Sequence, residues 1–186
     1  RAREWYETAA ERGHARAQVN LGWLYEHGLG TERAPAAALE WYRKAAAQGL
    51  AEGDFNAASL LEAGAPPDLA GAAAGYARAA QKNFAPANYR LGLLLERGQA
   101  PVSEYGSALA RYQAAARAGL PDAQFAAARL LLAGDAAANA REAIAWLQKA
   151  AQQEYAPAQT MLADAASQYR IALQLAAEPS GAAEAL

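Results

Sequence analysis

The sequence predicts an all-α fold, a right-handed α-solenoid of stacked antiparallel helix hairpins. Three observations predict it. A Trp-Tyr-like pair recurs near residues 5, 41, 75, 111 and 146, at intervals of 36, 34, 36 and 35 residues, so the chain of 186 residues holds about five units. Hydrophobic types make up 54% of it, with alanine, the best helix former, prominent among them. Glycine, asparagine and proline fall at fixed phases, where helices of this spacing must stop and start.

The elements follow in order. Trp5-Tyr6 and Ala9-Ala10 open the first unit, and Gly13 stops that helix. A second helix is predicted over Ala15–His27, where Ala17, Leu21, Leu24 and Gly28 stand at i, i+4, i+7 and i+11, a core stripe. Pro35 marks the next start, Trp41-Tyr42 and Ala45-Ala46 place a helix over Glu40–Gln48, and Gly49 ends it. The second unit continues with Gly53, Ala57-Ala58, Leu60 and Gly64. The third runs through Gly75-Tyr76, Ala79-Ala80, the stop Asn83, Pro86, Leu91-Gly92, Leu94 and Gly98. The fourth runs through Arg111-Tyr112, Ala115-Ala116, Gly119, Pro121, Ala127-Ala128, Leu130 and Gly134. The fifth has Trp146-Leu147, Ala150-Ala151 and Pro157; its stop is Glu154, a residue type less suited to a left-handed turn. Tyr169 then stands where a glycine is due, so Gln159–Leu175 reads as one longer capping helix. The array is thus expected over 1–175, with 176–186, containing Pro179-Ser180-Gly181, a flexible tail or linker. The phase of Trp5, Trp41 and Trp146 assigns all three to the core. The glycine or alanine after the leucine, as at Gly22 and Gly92, lets the paired helix come close.

These residues resemble the Sel-one-like repeat family, a relative of the tetratricopeptide repeats. The family pattern is roughly A-x-x-x-L-G-x-x-Y-x-x-G-x-G, a spacer, then A-x-x-W-Y-x-x-A-A-x-x-G. Repeat one carries it as Ala17, Leu21, Gly22, Tyr25, Gly28, Gly30, Ala38, Trp41, Tyr42, Ala45, Ala46 and Gly49. The second repeat departs most, with Ala57-Ala58 for Leu-Gly and Ala65-Pro66-Pro67-Asp68 for the usual loop. The resemblance implies a non-enzymatic, protein-interaction adaptor or scaffold without cofactors. It also implies a bacterial protein of the periplasm or cell envelope, with a cytoplasmic setting left open. The alternative it implies is a structural or docking part of an envelope assembly, such as a polysaccharide synthesis or export complex. Cysteine-rich members are linked to β-lactam binding, and this chain has no cysteine.

The chemistry of the chain agrees with a binding role. A net charge of −2 argues against nucleic-acid partners, and no apolar run is long enough for membrane insertion. The start at Arg1, without methionine or signal pattern, reads as a segment of a longer protein. His14 and His27, the only histidines, lack a second ligand or base at helical spacing, and Glu4, Glu7 and Glu11 read as a solvated helix face. No catalytic or metal residues are assigned. The positions that vary between units are free for recognition instead. On one stripe of the second helix of each hairpin, in related solenoids the concave side, these give a partner-binding set of Asn20, Trp23, Asn56, Arg90, Arg97 and Arg129. Three arginines suit an acidic peptide or an anionic polysaccharide. The competing reading pairs them with Glu96, Asp122 or other acids of the array. One neighbouring position is polar in every unit, namely Gln18, Asp54, Asn88, Gln124 and Gln159, and either bonds backbone or water or meets a ligand.

Overall fold

The computed structural model of the protein describes residues 2–164. It divides into two compact units, one ending at Arg111 and one starting at Tyr112. The expected capping helix beyond residue 164 and the tail lie outside the described residues.

The first unit is built from α1 (Ala2–Glu11), α2 (Ala15–His27), α3 (Pro35–Ala47), α4 (Ala51–Glu62), α5 (Leu69–Gln81), α6 (Ala85–Glu96) and the single turn α7 (Val102–Tyr105). Each helix from α1 to α6 packs on the next, so consecutive hairpins share a core. The unit boundary falls within α8 (Ala108–Arg117). The second unit holds the end of α8, then α9 (Pro121–Ala133), α10 (Ala136–Gln152) and helical backbone over 156–164. There is no strand among the described residues. The all-helical hairpin fold read from the repeat is thus the fold observed, and α2 and the proline starts of α3 and α9 fall at the predicted residues.

The turn inside each hairpin is the same device five times. Gly13, Gly49, Asn83, Gly119 and Glu154 all take left-handed backbone, with φ of 89°, 88°, 60°, 95° and 61°. This bends the chain so that the amide next along donates to the first alanine of the pair: His14 to Ala9, Leu50 to Ala45, Phe84 to Ala79, Leu120 to Ala115 and Tyr155 to Ala150, at 3.1–3.3 Å. Otherwise orphaned helix carbonyls are satisfied this way. Glu154 adopts the conformation despite its Cβ, which costs about 1–2 kcal/mol. The stops between hairpins are less uniform. Gly28 and Gly98 are left-handed, but Gly134 has φ −86°, and Gly64 is not left-handed either. Those two loops close on other geometry.

Tyrosine, more than tryptophan, makes the core. Tyr42, Tyr76 and Tyr112 are fully buried, and Leu147 takes their place in the fifth unit. Fully burying one such side chain is worth about 1.5–3 kcal/mol. The expectation for the tryptophans needs correction. Trp146 is buried, Trp41 is half-buried, and Trp5 is 78% exposed. Trp41 packs on Ala10, Ala17 and Leu21 of the preceding hairpin, whereas Tyr42 clusters with Ala38 and Ala57 of its own helix pair. Small residues allow close approach, as expected. A Cβ on Gly22 would lie 2.7 Å from the Tyr42 ring, and one on Gly53 would lie 2.5 Å from the Ala46 amide nitrogen. Gly92, the counterpart of Gly22 on α6, is buried.

Candidate interaction surface

The position that is polar in every unit turns out to be structural wherever its bonds are seen. Gln18, Asp54, Asn88 and Gln124 are buried. Gln18 donates to the Ala10 carbonyl at 3.1 Å, Gln124 to Ala116 at 3.2 Å and Gln159 to Ala151 at 3.4 Å, each time to the second alanine of the preceding pair. A residue of the next hairpin then closes on the same amide. Gln48 donates to Gln18 at 2.7 Å and Gln153 to Gln124 at 3.0 Å.

Asp54 cannot donate, so α4 and α5 solve the problem differently. Lys82, which stands where Gln48 and Gln153 stand, donates to Asp54 Oδ2 at 2.6 Å and to the Ala46 carbonyl at 3.4 Å. Arg78 Nε meets Asp54 Oδ1 at 2.8 Å. An amide–amide pair is thus replaced by an ion pair that keeps every polar atom satisfied, as burial demands.

The predicted recognition stripe is distributed as follows. Asn20 and Trp23 stand on α2, both exposed. The Trp23 ring lies on His27 with centroids 4.6 Å apart, and His27 Nδ1 donates to the Trp23 carbonyl at 3.0 Å. Arg16, Val19 and Asn20 of α2 line a groove of about 360 Å³ with Leu50 and Glu52 at the start of α4. Asn56 is half-buried further along α4. Arg97 caps the end of α6, exposed and with no ion pair among the described residues. Arg129 is half-buried on α9, in the second unit.

Arg90 behaves differently. Its Nη2 donates to Glu62 Oε2 at 2.7 Å, its Nε lies 3.4 Å from the Tyr76 hydroxyl, and Tyr76 itself donates to Glu62 at 2.7 Å. Ser59 completes this strut across α4, α5 and α6, 3.1 Å from the same hydroxyl. Burial works against the Arg90 charge, but the bonds to Tyr76 and Glu62 more than offset it, so its pKa stands above the ordinary value. Burial likewise raises Tyr76, aided by Glu62 and opposed by Ser59 and Arg90. Arg90 therefore follows the pairing alternative, with Glu62 as the acid. Tyr42 and Glu26 repeat the tyrosine–carboxylate bond one hairpin earlier, at 2.6 Å.

The sequence reading missed the charged group of Asp54, Arg78 and Lys82. Its signal was present in two substitutions that coincide: an acid in an otherwise amide column, and a glycine, Gly75, in the tryptophan column.

The Sel1 repeat family model matches residues 1–14, 15–50, 85–120 and 121–155, leaving 51–84 unmatched. No curated protein matches the chain. Among solved structures it is similar to c5321, a protective antigen present in uropathogenic Escherichia coli strains that displays an SLR fold. The identity is 33% over 87% of this chain and 35% of that one, with a TM-score of 0.76. A Sel1 repeat protein from Oxalobacter formigenes is 27% identical over 84% of this chain and 65% of its own, with a TM-score of 0.72. The immunity protein Pa5087 from Pseudomonas aeruginosa is 26% identical over 84% and 59%, with a TM-score of 0.53. The chain thus spans only 35% of the first relative's length and 65% of the second's.

Proposed function

Because the chain belongs to the Sel1 repeat family, whose members generally act as protein-interaction scaffolds, we propose that it is an adaptor that docks a segment of a partner protein along the variable face of α2, α4 and α6. The observation that carries this reading is the division of labour between positions. Those that recur are spent on the core and on inter-hairpin bonds, whereas Asn20, Trp23 and Arg97 vary between units and are exposed. Asn20 also borders the groove between α2 and α4. An exposed Trp–His stack beside such a groove offers a large apolar anchor with polar edges, the composition of interaction hot spots. Asn56 adds an amide, and Arg90 adds a guanidinium already oriented by Glu62 and Tyr76.

The alternative, an envelope assembly that binds an anionic polymer, needs its arginines uncommitted. Arg90 is engaged by Glu62. This favours a protein segment over a polyanion as the ligand.

The test is photo-crosslinking from single positions. Crosslinkers at Asn20, Trp23 and Asn56 should capture one partner band that crosslinkers at Thr8 and Glu40, exposed on α1 and α3, do not capture. Capture from Thr8 and Glu40 alone would move binding off this face and sink the proposal.

A further inference from the structure

A cleft of the first unit lies elsewhere, among α3, α4 and α5. It has a volume of about 460 Å³, in the range of small-ligand clefts. Its floor is apolar, formed by Ala46, Ala57, Ala58, Leu61 and Ala74, and Arg43, Arg78 and Lys82 stand around it. The repeat explains why it exists. One hairpin earlier, Trp41 packs against the buried cluster of Ala10, Ala17 and Leu21, and Ala9 and Tyr25 pack on the same cluster. In the next unit the counterparts of Ala10, Leu21 and Tyr25 are Ala46, Ala57 and Leu61, all on the cleft floor. The counterpart of Trp41 is Gly75, whose backbone is drawn so close to α4 that a Cβ would meet Ala58 at 2.8 Å. The indole is gone, but the surface an indole covers remains.

A second column points to the same ligand. Three residues after the tryptophan, Lys44 sets its ammonium 3.9 Å from the centroid of Trp41, and Lys149 does the same over Trp146 at 4.5 Å. The third unit keeps a cation there, Arg78, with no ring of its own chain at the tryptophan position. Arg78 is exposed and is steered to the cleft by its bond to Asp54. The charge balance is also defined. Asp54 is held by Arg78 and Lys82, and Asp68 caps α5 by accepting from the Gly71 amide, which leaves Arg43 with no carboxylate partner among the described residues.

We propose that this cleft is a second docking site, which takes an aromatic side chain of a partner protein, flanked by acidic residues, in the place where the preceding unit puts Trp41. The ring lies on the alanine–leucine floor with the Arg78 guanidinium over its face, a cation–π arrangement. The acidic flanks meet Arg43 and Lys82. Both α4 and α5 fall in the segment 51–84 that the family model leaves unmatched, so the site belongs to this chain's departure from the repeat pattern. It uses none of the residues of the α2–α4–α6 face.

The test titrates the protein with two probes, acetyl-Asp-Trp-Asp-amide and acetyl-Asp-Leu-Asp-amide, and follows backbone amide resonances. The tryptophan peptide should shift Gly71, Gly75 and Arg78 saturably, with a Kd on the order of 1 mM. The leucine peptide should bind at least about tenfold more weakly, as loss of the ring contact requires. Arg78→Gln should weaken the tryptophan peptide while Trp23→Ala leaves it unchanged. Ala74→Phe, which fills the cleft from within, should abolish binding. Should that variant not fold, Arg78→Gln decides alone. Equal shifts from both peptides, shifts produced as well by sodium sulfate, or cleft resonances that move only with protein concentration would each overturn the proposal, the last in favour of a second copy of the chain.

Discussion

Gly53→Ala turns the closeness of α3 and α4 into a question of sign. Gly53 sits in the first turn of α4, in ordinary helical backbone. With free space around it, alanine would stabilise the helix by about 1 kcal/mol over glycine. A Cβ there, however, would lie 2.5 Å from the Ala46 nitrogen and 2.7 Å from the Tyr42 carbonyl oxygen. Both are backbone atoms of α3, so no rotamer change relieves the contact and the helices must part. Overpacking of this kind costs about 1–3 kcal/mol, with a rigid neighbour at the upper end. Subtracting the propensity gain leaves a net loss of about 2 kcal/mol. For a chain of this size that lowers Tm by about 4–8 °C. Thermal unfolding followed by circular dichroism at matched protein concentration reads it directly. A Tm equal to or above that of the unaltered protein would refute the close-contact reasoning, because only free space lets the propensity gain prevail.

Three further outcomes are expected. Lys82→Gln should destabilise by about 1–3 kcal/mol, since Asp54 loses an ion-pair partner and the Ala46 carbonyl its donor. Adding Asp54→Gln, which recreates the amide pair of Gln18 and Gln48, should recover most of that loss in a double-mutant cycle, and strict additivity would argue against the equivalence of the ion pair and the amide pair. Glu154→Gly should stabilise by about 1 kcal/mol in urea unfolding by removing the left-handed strain, and a destabilised variant would contradict it. Finally, burial first, and then Glu26 and Glu62, hold Tyr42 and Tyr76 above their ordinary pKa of 10.0. The folded state therefore keeps protons that the unfolded state releases, so this stability is intact below pH 10 and falls as pH rises past it. The slope is up to about 1.4 kcal/mol per pH unit for each tyrosine. Tyr42→Phe/Tyr76→Phe should flatten the alkaline limb of a stability–pH curve.

The helices, their stops and their pairing were legible in the sequence because they depend on local chemistry repeated in phase. An alanine pair followed by a residue that tolerates positive φ makes the same turn wherever it occurs, and even Glu154 adopts it, with the same Tyr155-to-Ala150 bond closing the turn. Burial could not be read in the same way. Trp5 and Trp146 share a phase and differ from exposed to buried, since burial depends on what the flanking helices place over the ring. The candidate face shows a similar split. That Asn20 and Trp23 vary and stand free of the core stripe follows from helical periodicity, whereas the engagement of Arg90 does not. Glu62 is 28 residues away in sequence, and only the stacking of α4, α5 and α6 brings the two carboxylate-bound groups, Tyr76 and Arg90, to the same oxygen. The cleft beside Gly75 is the clearest case of the tertiary decision. One glycine in a tryptophan column is visible in the sequence. Whether α5 would collapse fully onto α3 and α4 or leave an apolar hollow rimmed by cations is settled by where the Gly75 backbone meets the Ala58 side chain, a balance of contacts that no local pattern encodes.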